Sequence, residues 1–449
     1  MRYRSQICRA LVIVCCVALS SGVFAQSKES KKKQKDFGSS LKQLKWNPIK
    51  KETVETKPAT RSTAADEDDV IRFETSLVSL DVLVVDKAGN TVRGLTESDF
   101  AISEEGSPQQ VGHFLLGDNR TVPRTIVLII DYSGSQIPFL RSSIDAAKVL
   151  VDQLAPLDKM AIVTDDVELI LDFTDDKKKL KSKLESLFDR TKANRGFFSV
   201  SEQRIGKSKQ YSALLATLNE LFSDEDKRPI IVFQTDGDEV YRLQDPVIRP
   251  SLPSGLPAEM RAGWEENIQF RMAYMFENRT EFSLADVYRA AEKSRATIYT
   301  IVPGYQLLDR SPEEQINLTR LDTESRLDGQ WSRFSASERE TMKAQARAPW
   351  EPLSDEIMKY QAKESYIVQL ALAGVAARTG GWTDFLEKPA QASAIYSRIF
   401  SDINQRYIVG YYPTNKARDG KRRKISIEVK GHPDYTIIGR KFYYAPSVQ

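Results

Sequence analysis

The chain has 449 residues and carries 65 Lys and Arg against 62 Asp and Glu, a formal net charge of +3. That near balance offers no basic face for nucleic acid, and the length leaves room for two or three domains. All three cysteines, Cys8, Cys15 and Cys16, fall within the first 25 residues.

Residues 1–25 read as a signal peptide. Arg2, Arg4 and Arg9 supply a basic start, and Ala10 to Leu19 is an apolar core too short to span a bilayer. Val23-Phe24-Ala25 then offers small residues for cleavage. Val14 before Cys15 is not the small residue that lipoprotein processing requires. The expectation is an exported protein, periplasmic or secreted, with no transmembrane segment in the mature chain. Without its leader the chain is close to neutral and has no cysteine, which excludes disulfides, thiol catalysis and a thiolate zinc site. Residues 26–69 combine the lysine-rich tract Lys28 to Lys57 with the acidic run Asp66 to Asp69 and are expected to be a disordered linker.

Residues 70–117 read as an all-β module. Thr75 to Val85 alternates before turning fully apolar, Asp86 to Asn90 is a turn cluster leading into Thr91-Val92-Arg93, and Phe100 to Ser103 is another strand. From Thr125 strands and helices alternate, the rhythm of a parallel sheet with helices on both sides. Thr125 to Ile130, Lys159 to Thr164, Pro229 to Thr235 and Ala296 to Val302 are expected strands. Val167 to Phe173 is expected to run antiparallel because its connection is short. Ile144 to Leu154, Asp175 to Leu187, Tyr211 to Phe222, Leu284 to Arg295, 364–379 and Ala392 to Gln405 are expected helices. Two excursions, 240–281 and 305–363, interrupt this α/β stretch of 122–405. The first has no clear period, and the second is charged and helical in part. Residues 406–449 return to strands at Arg406 to Tyr412, Arg423 to Val429 and Ile437 to Tyr444, expected to complete a sandwich with 70–117.

Asp131-Tyr132-Ser133-Gly134-Ser135 follows directly on the apolar strand Thr125 to Ile130. Such a strand reads as buried on both faces, and ligands of open α/β sheets bind at the carboxyl ends of strands. One carboxylate and two hydroxyls there suit a small hard cation such as Mg²⁺; a polar turn capping the next helix accounts for the motif alone equally well. Asp236, after the second apolar strand, brings another carboxylate to the same sheet edge and favours the cation.

Asp-x-Ser-x-Ser after the first strand and a later strand-borne Asp236-Gly237 resemble the von Willebrand factor A family, and within it the secreted acidobacterial proteins with a VWFA-related domain. Further matching segments are Val82 to Asn90, Gly94 to Phe100, Asp172 to Asp176, Thr379 to Gly381 and Arg406 to Pro413. The resemblance implies an α/β fold: a Rossmann-like doubly wound, mostly parallel sheet inserted in or flanked by a small β-sandwich built from N- and C-terminal strands. It also implies a metal-ion-dependent adhesion site for Mg²⁺, Mn²⁺ or Ca²⁺, with Asp131, Ser133 and Ser135 from the first loop and Asp236 from a later one. The family's middle-loop threonine, preceded by glycines, aligns with Ser212 in Lys209 to Leu215. Here the glycines are missing, and Gln210 and Tyr211 add bulk.

Such a site bridges rather than turns over: the cation keeps an open position for an Asp or Glu of a protein ligand. The expected function is thus an exported, metal-dependent protein-binding module and not an enzyme; the alternative is an envelope scaffold with a vestigial metal site. Other chemistries lack residues. Gly206-Lys207-Ser208 has Ser201 where a phosphate loop needs its upstream glycine, and Gly-x-Ser-x-Gly is absent. His113 and His432 are the mature chain's only histidines, both in expected β regions. A phosphoryl-accepting Asp131 of the dehalogenase type would want an aspartate where Ser133 stands. Tyr407, Tyr411 and Tyr412 suit strand packing better than ligand stacking.

Overall fold

The computed structural model describes residues 77–116, 122–193, 208–222, 228–331, 334–348 and 351–447. The segment expected to be a signal peptide with its cysteines, the lysine-rich tract and Gly206-Lys207 lie outside the described residues. Those that are described form two compact units, one of residues 122–402 and one of residues 77–116 with 403–447.

The second unit is built from strands at both ends of the sequence. Its N-terminal strands are β1 (Val78–Val85), β2 (Phe100–Glu104), β3 (Ser107–Gln109) and β4 (Val111–Leu116). Four more follow late in the chain: β11 (Tyr407–Tyr411), β12 (Arg422–Val429), β13 (Thr436–Ile438) and β14 (Phe442–Tyr444). They make two four-stranded sheets, β13-β1-β11-β4 and β14-β12-β2-β3, antiparallel at every pairing. The register joins Leu80 to Val409 and Ile427 to Ile102. Inward-facing Leu80, Val82, Val84, Phe100, Ile102, Val409 and Ile425 form one core from both sheets, as period-two alternation requires. Tyr407 and Tyr411 are part of that core, whereas Tyr412 is 46% exposed. The stretch Thr91 to Arg93 forms no strand and contributes only an isolated bridge from Thr91 to Val85.

In the other unit lie β5 (Arg124–Ile130), β6 (Lys159–Thr164), β7 (Leu169–Thr174), β8 (Arg228–Gln234), β9 (Thr297–Pro303) and β10 (Thr383–Leu386). Their sheet order is β10-β9-β8-β5-β6-β7, parallel except for the β6–β7 pair. Every residue of β5, β8 and β9 is buried, which is why these strands are mostly apolar rather than alternating, with the polar exceptions Arg124, Thr125, Arg228, Gln234, Thr297 and Thr300. Each fully buried Ile, Leu or Val contributes roughly 1.5–3 kcal/mol. The helices are α1 (Ile137–Asp152), α2 (Lys177–Ala193), α3 (Gln210–Ala216), α4 (Ala258–Glu277), α5 (Leu284–Lys293), α6 (Pro312–Gln330), α7 (Ala336–Gln345), α8 (Asp355–Thr379) and α9 (Ala392–Gln405). The fold is therefore mixed α/β, a mostly parallel sheet flanked by helices, together with antiparallel sheets. After β5 the chain winds to one side through β6 and β7, then returns to build β8, β9 and β10 on the other. The β5–β8 boundary is thus a topological switch point.

Both excursions are helical. Helix α4 has no fully buried residue; its inner face is half-buried and mixed, with Met260 and Trp264 packed on a satellite core beside the polar Asn267 and Arg271, so its apolar stripe is weak. Leu256, Leu327, Trp331, Leu353, Ile357 and Met358 from the excursions and the start of α8 form a satellite core. Helix α8 ends at Gly380, in the left-handed conformation at φ +80°, and a Cβ on Gly381 would lie 1.9 Å from the Ile298 carbonyl oxygen. No helix among the described residues is long and apolar enough to cross a membrane.

Candidate cation site at the switch point

Parallel pairing carries three aspartates to one edge of the sheet. Asp131 follows β5, Asp165 follows β6, and Asp236 lies two residues beyond β8. Ile130 pairs with Gln234, and the Asp131 amide donates to the Gln234 carbonyl at 3.0 Å, so the first and last of these loops leave the sheet side by side.

The first loop spends its side chains on this edge. Asp131 is 1% exposed; its Oδ1 accepts the Ser133 amide at 2.9 Å and its Oδ2 the Thr235 hydroxyl at 3.2 Å. The Ser133 and Ser135 hydroxyls lie 3.1 Å apart, and Ser135 donates to Asp236 Oδ2. Helix α1, which follows a short 3-10 turn at Gly134–Gln136, has no side-chain cap at its N-cap residue Gln136. The polar-turn reading, in which the motif exists to cap this helix, is therefore not what its oxygens do. Gln136 instead donates through Nε2 to Asp236 Oδ2 at 2.8 Å, while its Oε1 is buried without a partner. Gly237, at φ +72°, turns the chain immediately after Asp236, where a Cβ would stand 3.0 Å from Leu372 Cδ1.

The structure brings Asp131, Ser133, Ser135 and Asp236 together and leaves Ser212 out. The Ser212 hydroxyl donates to Glu239 Oε1 at 2.6 Å and its amide to Glu239 Oε2 at 2.9 Å. The middle-loop residue at the site is Gln210, which is completely buried. Its Nε2 donates to Asp131 Oδ2 at 3.1 Å and to Asp236 Oδ1 at 3.2 Å, and its Oε1 accepts the Glu239 amide at 2.9 Å.

Asp165 was not singled out from the sequence, although the rule that found Asp131 and Asp236, a carboxylate just past an apolar strand, applies to it equally. It is 1% exposed and ties two loops together. The Tyr132 amide donates to its Oδ1 at 3.2 Å and the Ser208 hydroxyl to its Oδ2 at 2.6 Å. Val167, at φ +62°, is a β-branched residue forced into the left-handed region by the tight turn from β6 to β7 beside it.

Burial, followed by the charges of Asp165 and Asp236, holds the Asp131 carboxyl well above the usual carboxylate range. Burial likewise raises Glu239, against the opposing hydrogen bonds from Ser212. The repulsion between ionised carboxylates at this edge is relieved either by a proton or by a bound cation. Two carboxylates and two hydroxyls are hard oxygen donors of the kind a small divalent cation takes with water completing its sphere. Asp131, Ser133, Ser135 and Asp236 fit such a cation; Ser212, engaged with Glu239, does not. Among the described residues no group of three or more His, Cys, Asp or Glu is arranged to hold a metal ion, so any cation here relies on the serines.

No family model and no curated protein matches the chain. Among solved structures it is similar to the vWF domain of the type V pili tip protein Mfa5 from Porphyromonas gingivalis. That match has 14% identity and a TM-score of 0.33, covering 63% of this chain and 95% of that one. It is also similar to the human COPII-coat protein Sec24c, at 8% identity and a TM-score of 0.26, covering 73% of this chain and 44% of that one. Likenesses at these scores carry no argument about family or role.

Proposed function

We propose that this chain is an exported von Willebrand factor A-type binding module that holds a divalent cation, Mg²⁺ foremost and Mn²⁺ or Ca²⁺ as substitutes, through Asp131, Ser133, Ser135 and Asp236. When bound, the cation offers an open coordination position to an Asp or Glu of a protein partner. The observation that carries this reading is the convergence of those four side chains, from two separate loops, at the switch point of the sheet. Asp131 anchors the first loop through the Ser133 amide, and Ser135 links that loop to Asp236. Half-buried Ser135 and Asp236 face the approach that a partner would take, whereas Asp131 and Ser133 lie beneath. In this reading the module binds its ligand without turnover.

Calorimetric titration of EDTA-stripped protein with MgCl₂ and MnCl₂ tests the cation. Surfaces bearing Asp- and Glu-containing peptides, against Asn and Gln controls, test the partner chemistry. Binding that needs Mg²⁺ and is abolished in Asp131→Ala is expected; equal binding by wild type and this variant in excess Mg²⁺ refutes the proposal. The second reading, a scaffold with a vestigial site, draws on one observation, the departure of Ser212 to Glu239. It predicts no heat and no thermal shift with either metal.

A further inference from the structure

Gln210 stands where the resemblance leads one to look for a glycine ahead of the middle-loop hydroxyl, and its contacts are those of a positive group. Both hydrogens of its side-chain amide are spent on carboxylates, one on Asp131 Oδ2 at 3.1 Å and one on Asp236 Oδ1 at 3.2 Å. A single nitrogen thus bridges the two acidic residues of the site. We infer that Gln210 is a built-in placeholder for the cation, one that closes the site in the cation-free protein and must swing out before a cation can take both aspartates. The inference rests on the cation-binding reading proposed above.

Three features support it. First, an amide nitrogen is a donor only, so in this orientation Gln210 cannot ligate a metal and competes with one for the same carboxylate lone pairs. Second, the orientation is fixed. The Gln210 Oε1 accepts the Glu239 amide at 2.9 Å, and turning the side chain over would set two donors against each other. Gln136 differs: its Nε2 also donates to Asp236, at 2.8 Å, but its Oε1 is buried without a partner, so its orientation is held from the nitrogen side alone. Third, the substitution is incomplete. A neutral amide satisfies hydrogen-bonding capacity but carries only partial charge, so Asp131 and Asp236 still favour a full cation over it.

Displacement of Gln210 has a consequence beyond the site. Its Oε1 is the acceptor for the Glu239 amide, and Glu239 in turn holds Ser212 at the start of α3. A cation that expels the Gln210 side chain therefore breaks a tie between the middle loop and the 236–239 loop, on the side where a partner would bind. Cation occupancy is thus coupled to the freedom of the 236–239 loop through one side chain.

The test uses the full chain, stripped with EDTA and titrated with MgCl₂ by calorimetry, comparing wild type with Gln210→Ala. Removing the placeholder is expected to tighten Mg²⁺ binding on the order of tenfold or more, since two hydrogen bonds to charged groups no longer have to be broken. The metal-free variant is also expected to melt below wild type, with the gap narrowing at saturating Mg²⁺. Equal or weaker binding by the variant, with wild type binding normally, overturns the placeholder and leaves the cation site standing. No binding by either protein, with Mg²⁺ or Mn²⁺, overturns the cation reading itself. Should the variant fail to fold, wild type labelled with ¹⁵N at glutamine side chains gives a second readout. The Gln210 amide protons are expected to exchange slowly in EDTA and quickly in Mg²⁺, and unchanged exchange in a protein that does bind Mg²⁺ overturns the placeholder.

Discussion

Replacing Ser212 by Ala separates a metal-ligating hydroxyl from a structural one, because the two roles predict opposite pairs of results. Glu239 is 1% exposed, and its carboxylate is served by the Ser212 hydroxyl at 2.6 Å and the Ser212 amide at 2.9 Å. The substitution removes the first of these and leaves a buried carboxylate short of a donor, which costs about 1.5–3 kcal/mol. A pH dependence follows with a definite sign. Burial already raises the Glu239 carboxyl above its ordinary value, and the Ser212 bonds oppose that rise. A carboxyl raised in the folded state stabilises most below its unfolded value, and that contribution is lost as pH rises through the folded one. Ser212→Ala should therefore lose more stability at neutral pH than in mild acid, and a Glu239→Gln background should remove most of the difference. Urea unfolding at two pH values gives the free energies, and Mg²⁺ titration of the same samples gives the affinity. The structure predicts a clear loss of stability with Mg²⁺ affinity nearly unchanged. Unchanged stability with a tenfold or greater loss of affinity would mean that Ser212 reaches the cation and that the structural assignment is wrong.

Three further outcomes follow from the same structure. Arg423 and Glu104 are 5% and 2% exposed at their side chains and pair at 3.2 Å. Arg423→Met should cost about 3 kcal/mol, the lower end for a broken buried pair, because Tyr411 and Tyr443 still donate to Glu104 at 2.8 Å each. Hydrogen exchange across β12 would show it, and a cost below about 1 kcal/mol would contradict the burial argument. Val167→Asn should raise thermal stability by roughly 0.5–1 kcal/mol, since asparagine tolerates the left-handed region and a β-branched residue does not; a lower melting temperature would refute the strain. Burial and Glu104 push the Tyr443 hydroxyl up to about 12. Its stabilising contribution is full below the unfolded value near 10 and is lost as pH rises through 12. Tyr443→Phe should therefore flatten the alkaline loss of stability in calorimetry above pH 10, and an unchanged alkaline limb would exclude the role.

By itself the sequence determined the architecture wherever burial is two-sided or strictly alternating. The runs in β5, β8 and β9 could be read because a strand covered on both faces is filled mostly by apolar residues. In the N- and C-terminal sandwich β2 and β12 alternate and could be read, and the place of Asp131 and Asp236 just past buried strands singles them out in the sequence. Helix α4 stayed hidden because its half-buried face mixes Met260 and Trp264 with Asn267 and Arg271, which blurs the apolar period. Only the tertiary structure decided which middle-loop side chain faces the aspartates. Gln210 and Ser212 are two residues apart on one short helix and so point in different directions. The choice between them was made by Glu239, which offers its backbone amide to Gln210 and its carboxylate to Ser212 from a loop absent from local sequence context. Asp165 joined the site for a similar reason: parallel pairing of β6 with β5 set its carboxylate beside Asp131, a neighbour more than thirty residues away in the chain.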